Sequence, residues 1–132
     1  MNDQTVKVAV CGAHMSGLPL NHQLTGMGGK LVTKTTTAPC YRFYKLPDFV
    51  PPRPGLVRVT ENGCPIEVEV WELPINEYGK LVANIPSPLG IGTLELLDHP
   101  PVQGFLCEAF IVPQSTDISH YGGWRQYISS VS

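Results

Sequence analysis

His14, Ser16, Asn21 and His22 are grouped in one short segment, directly after an apolar run, Val8-Ala9-Val10-Cys11, that breaks at Gly12. An imidazole is the side chain best suited to move a proton near neutral pH, and backbone N–H groups released where a strand stops can hold an anion. Together His14, Ser16, Asn21 and His22 make a group that can bind a small carboxylate and supply a proton. The same spacing also suits two ordinary loop histidines. Glu67 and Glu69 alternate with Ile66, Val68 and Val70, which places both carboxylates on one strand face, a face that is wet in most half-buried strands and lines a cavity in a small barrel. Arg42 and Arg58 sit inside strand-like runs and can pair either with a substrate carboxylate or with Glu67 and Glu69. Near the end, His120, Tyr121, Trp124 and Arg125 gather where aromatic bulk usually packs a core.

The elements that must position these groups follow from patterning. Strands are expected over 5–11, 30–37, 40–46, 56–60, 65–73, 91–97 and 104–112, with a helical turn over 18–24. Glu61-Asn62-Gly63 reads as the turn of a hairpin between 56–60 and 65–73, and the proline-dense stretch 47–55 as a rigid connecting loop. Ile75, Tyr78, Leu81, Val82 and Ile85 recur at helical spacing after Pro74, which makes 75–85 the main helix. The tail, 117–130, reads as a helix capped by Asp117 and weakened by Gly122-Gly123. The expected fold is α+β, a small, mostly β twisted sheet or barrel of six or seven strands with one or two packed helices, forming a single domain over 1–132.

Composition narrows the function classes. A net charge of −2 and a pI near 6.0 offer nucleic acid and anionic membrane surfaces no electrostatic footing, and no apolar run reaches spanning length. The N-terminus carries no basic region followed by an apolar segment and a cleavage site, so a cytoplasmic location is expected. Cys11, Cys40, Cys64 and Cys107 form no C-x-x-C pair and read as reduced core thiols, with no metal site and no cofactor expected. Glycine-rich phosphate loops, H-E-x-x-H and G-x-S-x-G are absent from the sequence.

In order along the chain, the run from Val8 to Asn21, then Thr37-Ala38-Pro39-Cys40-Tyr41-Arg42, Pro54-Gly55-Leu56-Val57-Arg58, Ile66-Glu67-Val68-Glu69-Val70-Trp71, Ile85-Pro86-Ser87-Pro88-Leu89-Gly90-Ile91-Gly92-Thr93, and Asp117-Ile118-Ser119 with Tyr121-Gly122-Gly123-Trp124-Arg125 closely resemble the C-terminal domain of allophanate hydrolase. That resemblance implies a γ-glutamylcyclotransferase-like fold. In the cyclotransferases the first strand ends in a Tyr-Gly-Ser/Thr-Leu loop, whose place is taken here by Cys11-Gly12-Ala13-His14, and their catalytic glutamate follows the main helix, where this chain reads Asn84-Ile85-Pro86-Ser87-Pro88-Leu89-Gly90 without a carboxylate. Cyclotransferase activity is therefore not carried over. What the resemblance implies instead is decarboxylation of N-carboxycarbamate, the product of a separate amidase, in urea and allophanate degradation. His14 matches the family histidine and takes the proton-donor role; Gly12, Ala13 and Ser16 contact a carboxylate, and Asn21, Arg42, Arg58 and Arg125 are candidates for the second anion. Nothing in the chain resembles the amidase's serine nucleophile site, so this stand-alone relative is expected to act on a small carboxylate or carbamate supplied in trans, with room for a homodimer. Two alternatives stay open: a non-catalytic carboxylate-binding or assembly module, and a cyclotransferase-like enzyme whose carboxylate has moved to Glu67, Glu69 or Glu108.

Overall fold

The apolar run that opens the chain becomes β1 (Thr5–Val10), and its neighbours explain why the run is continuous. In this computed structural model, which describes residues 4–131, β1 is an interior strand, antiparallel to β5 (Glu67–Pro74) and parallel to β7 (Val102–Cys107). Both faces near its end are covered, so Val8, Ala9 and Val10 are all buried rather than alternating. With β2 (Lys30–Thr36) and β6 (Leu89–Leu94) the sheet runs β2-β5-β1-β7-β6. A second sheet, β4-β3-β8, contains β3 (Tyr41–Lys45), β4 (Pro54–Arg58) and the two-residue β8 (Thr116–Asp117).

Between them lies a core that includes Tyr41, Phe43, Leu56, Ile66, Leu73 and Leu94. The Tyr41 hydroxyl reaches the core's edge and accepts a 2.9 Å hydrogen bond from the Glu95 N–H, satisfying the polar end of a buried ring. Among the described residues three α-helices accompany the sheets: the short α1 (Asn21–Thr25), α2 (Ile75–Ala83) and α3 (Trp124–Val131). The α2 helix begins after Pro74 as its apolar spacing requires, with Leu81 buried and Tyr78 and Ile85 packed against the core. No helix among the described residues is long and apolar enough to cross a membrane. The architecture is α+β and mostly β, with eight strands among the described residues where six or seven were expected; the two-residue β8 accounts for the eighth.

Four local expectations are corrected. The expected hairpin across residues 61–63 does not form: β4 pairs with β3, whereas β5 pairs with β1 and β2, so this turn carries the chain from one sheet to the other. Gly63 allows it, because a Cβ there would lie 2.5 Å from the Cys40 Cα, and the Cys64 N–H then bonds the Tyr41 carbonyl. The proline-rich loop ends earlier than expected, since Pro54 opens β4, a strand-initial position that needs no N–H donor. Finally, 104–112 is not one strand: β7 stops at Cys107 and the chain coils into a 3-10 turn over Ala109–Gln114. The tail is likewise divided into β8, a 3-10 turn at Ser119–Tyr121 and α3, with Gly122 at φ +79° making the break. Asp117 caps the 3-10 turn, not a long helix, by accepting the Ser119 N–H at 2.9 Å.

Candidate active site

Leaving β1 at Cys11, the chain folds back on itself through backbone bonds from Met15 to Gly12, Leu18 to Met15 and Leu20 to Ala13, each 2.8–3.0 Å long. Gly12 is obligatory on steric grounds: a Cβ would sit 2.4 Å from Pro54 Cδ, where β4 begins. Met15 is fully buried and anchors the loop, while Asn21 donates its amide to the His14 carbonyl at 2.9 Å. His14 is held between these two anchors.

Its ring is 6% exposed and packs on Phe105 of β7, with centroids 5.0 Å apart. Nε2 lies 2.8 Å from Gln23 Oε1 on α1, whose orientation is set by the fully buried Leu24. A carboxamide oxygen only accepts, so Nε2 carries the hydrogen and Nδ1 is the nitrogen left for a ligand. Burial pushes the His14 pKa down to about 4, and Arg53 and His22 push the same way against the Gln23 bond, so the imidazole is neutral at pH 7 in the empty cleft.

The cleft beside His14 has a volume of about 200 Å³ and is walled by Gln23, Met27, Arg53, Lys80, Leu81, Asn84, Ile85 and Phe105. A shallower recess continues from it along Gly12, Ala13, Pro54 and Leu89, sharing His14, Arg53 and Phe105. The walls therefore carry two cations and two carboxamides, and among the described residues no carboxylate lines either cavity. Arg53 comes from the proline-rich loop, where its guanidinium stands 5.5 Å from the Phe49 ring centroid and burial lowers its pKa. Lys80 comes from the last turn of α2, paired with Glu77 at 2.9 Å on an exposed surface. Asn84 closes that helix by donating to the Lys80 carbonyl at 2.8 Å.

Among the residues expected from sequence, the structure brings His14, Gly12 and Ala13 to the cavity and places the others elsewhere. Ser16 has turned inward, its N–H and hydroxyl both on Glu69. Asn21 supports the loop from behind through the His14 carbonyl. Arg42 bonds Asp117 at 2.7 Å and the Asn62 carbonyl, and Arg58 lies 3.7 Å from Glu95, so neither pairs with Glu67 or Glu69. Arg125 binds Glu69 and the Ser16 carbonyl. His22 is exposed on α1. The Glu67/Glu69 face is not wet: Glu69 is 2% exposed. Arg53, Lys80, Gln23 and Asn84 were missed, and the signal for Arg53 was its position between Pro52 and Pro54, which gives a cation a stiff mount.

The four thiols are unpaired, and burial pushes Cys11 up to about 12 and Cys107 up to about 11, which makes both poor nucleophiles.

Comparison with known proteins agrees with this geometry. A family model described as allophanate hydrolase C-terminal domain matches residues 6–129. A protein named urea amidolyase from Lachancea kluyveri is 40% identical over 130 residues; the match covers 96% of this chain and 7% of that protein, so the chain spans a small fraction of the length of this curated relative. Selenomethionine-substituted Kluyveromyces lactis allophanate hydrolase superposes with a TM-score of 0.93 at 38% identity, covering 98% of this chain and 22% of that one. A uropathogenic Escherichia coli-specific protein of matching extent (96% of this chain, 97% of that one) is 34% identical with a TM-score of 0.88. An aig2-like protein from Mus musculus, at 17% identity and a TM-score of 0.63, shares the fold. A match over nearly the whole chain, at these identities, establishes that the chain belongs to the allophanate hydrolase C-terminal domain family.

Proposed function

We propose that the cleft binds N-carboxycarbamate, a small dianion, and decarboxylates it with His14 as proton donor. The observation that carries this reading is the meeting of His14 and Arg53 on one cleft whose lining, among the described residues, has no carboxylate, with Lys80, paired to Glu77, on the same wall. Such a lining favours a ligand with two negative charges and disfavours amines.

In the reaction one C–N bond breaks, its electron pair stays on nitrogen, and the carboxylate it held departs as CO2. Nitrogen takes a proton and carbamate remains. Arg53 supplies a planar fork for the carboxylate that stays, while the departing group lies against the less polar Phe105 and Leu81 wall, where it gains nothing from being charged. The proton reaches nitrogen from His14 Nδ1, with Gln23 holding Nε2–H so that the ring cannot turn. A neutral imidazole has no proton to spare at Nδ1; the field of the arriving dianion raises the ring's pKa so that Nδ1 takes a proton from solvent before the bond breaks. After transfer the ring returns to the neutral form that burial prefers.

A relocated cyclotransferase carboxylate finds no support. Glu67 accepts from Gln126 at 3.2 Å, Glu108 is exposed, and Glu69 has both oxygens filled by protein donors outside the cleft. The test follows ¹³C-labelled allophanate by NMR with an isolated amidase domain, with and without this protein. Faster loss of the dicarboxylated intermediate with the unmodified chain, and not with His14→Ala, is the expected result; equal decay in all three samples makes the cleft a binding site without turnover. The amidase as partner, a cytoplasmic setting and a homodimer belong to the same proposal.

A further inference from the structure

Glu69 is the least expected residue in the core. It lies on β5 opposite Val10, the last residue of β1, and so stands beside the point where the His14 loop leaves the sheet. Oε1 accepts from the Ser16 N–H at 2.8 Å and from Trp71 Nε1 at 3.0 Å; Oε2 accepts from the Ser16 hydroxyl and from Arg125, each at 2.9 Å. Arg125, on α3, also donates to the Ser16 carbonyl at 2.7 Å. Every polar atom of Ser16 is thus held, by groups far away in sequence. Burial alone would raise the Glu69 pKa, but the bonds from Ser16, Trp71 and Arg125 outweigh it, and the carboxyl sits below its ordinary value.

Burying the Glu69 carboxylate, 2% exposed, against an Arg125 side chain that keeps 35% of its exposure is a poor way to add stability, because taking the carboxylate out of water offsets most of the attraction. Apolar side chains would fill this corner at less cost. What an ion pair does that they cannot is fix direction, since four donors on one carboxylate determine the loop's orientation as well as its depth. Ser16 is two residues from His14, with the fully buried Met15 between them, so a shift of Ser16 is passed to the imidazole.

We infer that Glu69 and Arg125 are positioning residues: together they clamp Ser16, and through it hold His14 at the reacting nitrogen, making α3 part of the active centre. The assignment rests on the proposed role of His14 but has a readout that does not depend on turnover. The clamp also separates loop alignment from anion binding, because Arg53 and Lys80 come from other elements.

The experiment compares Glu69→Gln, Arg125→Lys and Ser16→Ala with the unmodified chain in three measurements. One is turnover in the amidase-coupled assay, another is malonate affinity by calorimetry, and the third is the pH titration of the His14 ring by NMR. Glu69→Gln turns a carboxamide donor towards Ser16 or Trp71, and the expected result is turnover about 10- to 100-fold lower, malonate affinity within about threefold, and a His14 titration moved up from about 4. Arg125→Lys keeps the charge but not the fork and is expected to recover part of the loss. A lower melting temperature with all three readouts unchanged in the folded protein would overturn the clamp and leave Glu69 as structure alone. Should Glu69→Gln not fold, Ser16→Ala, which removes only the hydroxyl bonds, decides: an unmoved His14 titration refutes the proposal. Should the unmodified chain itself not turn over, decarboxylation fails while the ring titration still tests the clamp.

Discussion

Malonate replaces the bridging nitrogen of N-carboxycarbamate with a methylene and cannot lose CO2 by the same route, so saturating the cleft with it isolates the field that a dianion imposes on His14. Without that field, burial pushes the His14 pKa down to about 4. One uncompensated charge about 4 Å away, at an effective dielectric of about 20, is worth about 4 kcal/mol. At about 1.4 kcal/mol per pKa unit that is roughly 3 units, which brings His14 to about 7 while Arg53 neutralises the other carboxylate. The sign of the linkage follows: the complex binds a proton that the free protein does not, so malonate binds more tightly as pH falls. With titration at about 7 in the complex and about 4 without it, the affinity rises about tenfold from pH 8 to pH 6. NMR of ¹³C-labelled histidine gives the two titrations and calorimetry gives the affinity series, with His14→Gln expected to bind malonate with little pH dependence. A ring that still titrates near 4 at saturating malonate, or an affinity flat from pH 8 to pH 6 in the unmodified chain, would refute both the dianion field and the proton-donor role built on it.

The other predictions concern neighbouring parts of the site. Arg53→Gln should weaken malonate binding by about 10- to 100-fold, the worth of a charge-assisted contact, with little change in melting temperature; unchanged affinity would remove Arg53 from the ligand. Gly12→Ala places a methyl 2.4 Å from Pro54 Cδ and should cost about 1–3 kcal/mol in urea denaturation, whereas an unshifted midpoint would show that the loop and β4 separate easily. Because the folded state lowers the His14 pKa below its unfolded value of 6.5, the stability linked to that ring is complete above pH 6.5 and is lost as pH falls towards about 4. The difference reaches about 2–3 kcal/mol at pH 4.5, and the unfolding free energies of the unmodified chain and His14→Gln from urea denaturation should converge by that amount between pH 7 and pH 4.5. Parallel free energies would mean that His14 is not desolvated.

How much of this was legible in the sequence divides along a physical line. An apolar run that stops at a glycine, a proline ahead of helical spacing, and ordered blocks resembling one family are properties of neighbouring residues, and they located β1, α2, the fold and His14. Partner choice is not local. The alternation of 56–60 and 65–73 is satisfied by any antiparallel neighbour, so it specified strands and not which sheet each would join. Alternation around Glu69 could not distinguish a wet face from one sealed by α3, because the helix that seals it begins more than fifty residues later. Arg42 and Arg58 attracted notice by lying in strands, yet a strand arginine in a small domain meets the nearest surface carboxylate, here Asp117 or Glu95.

Arg53 escaped for the opposite reason, since a proline-rich stretch looks like a connector. Pro51, Pro52 and Pro54 leave that backbone few alternatives, and Phe49 occupies the face of the guanidinium, so the cation is held near the cleft at little further cost in chain entropy. Gly12 reports the same contact from the other side, for the absence of a side chain there is what lets Pro54, and Arg53 with it, press against the strand end that carries His14. His14 and Arg53 are thus brought together by one steric requirement between Gly12 and Pro54, and that pairing gives Gly12→Ala a second consequence. It should weaken malonate binding as well as folding, because it moves the proline that sets where Arg53 stands.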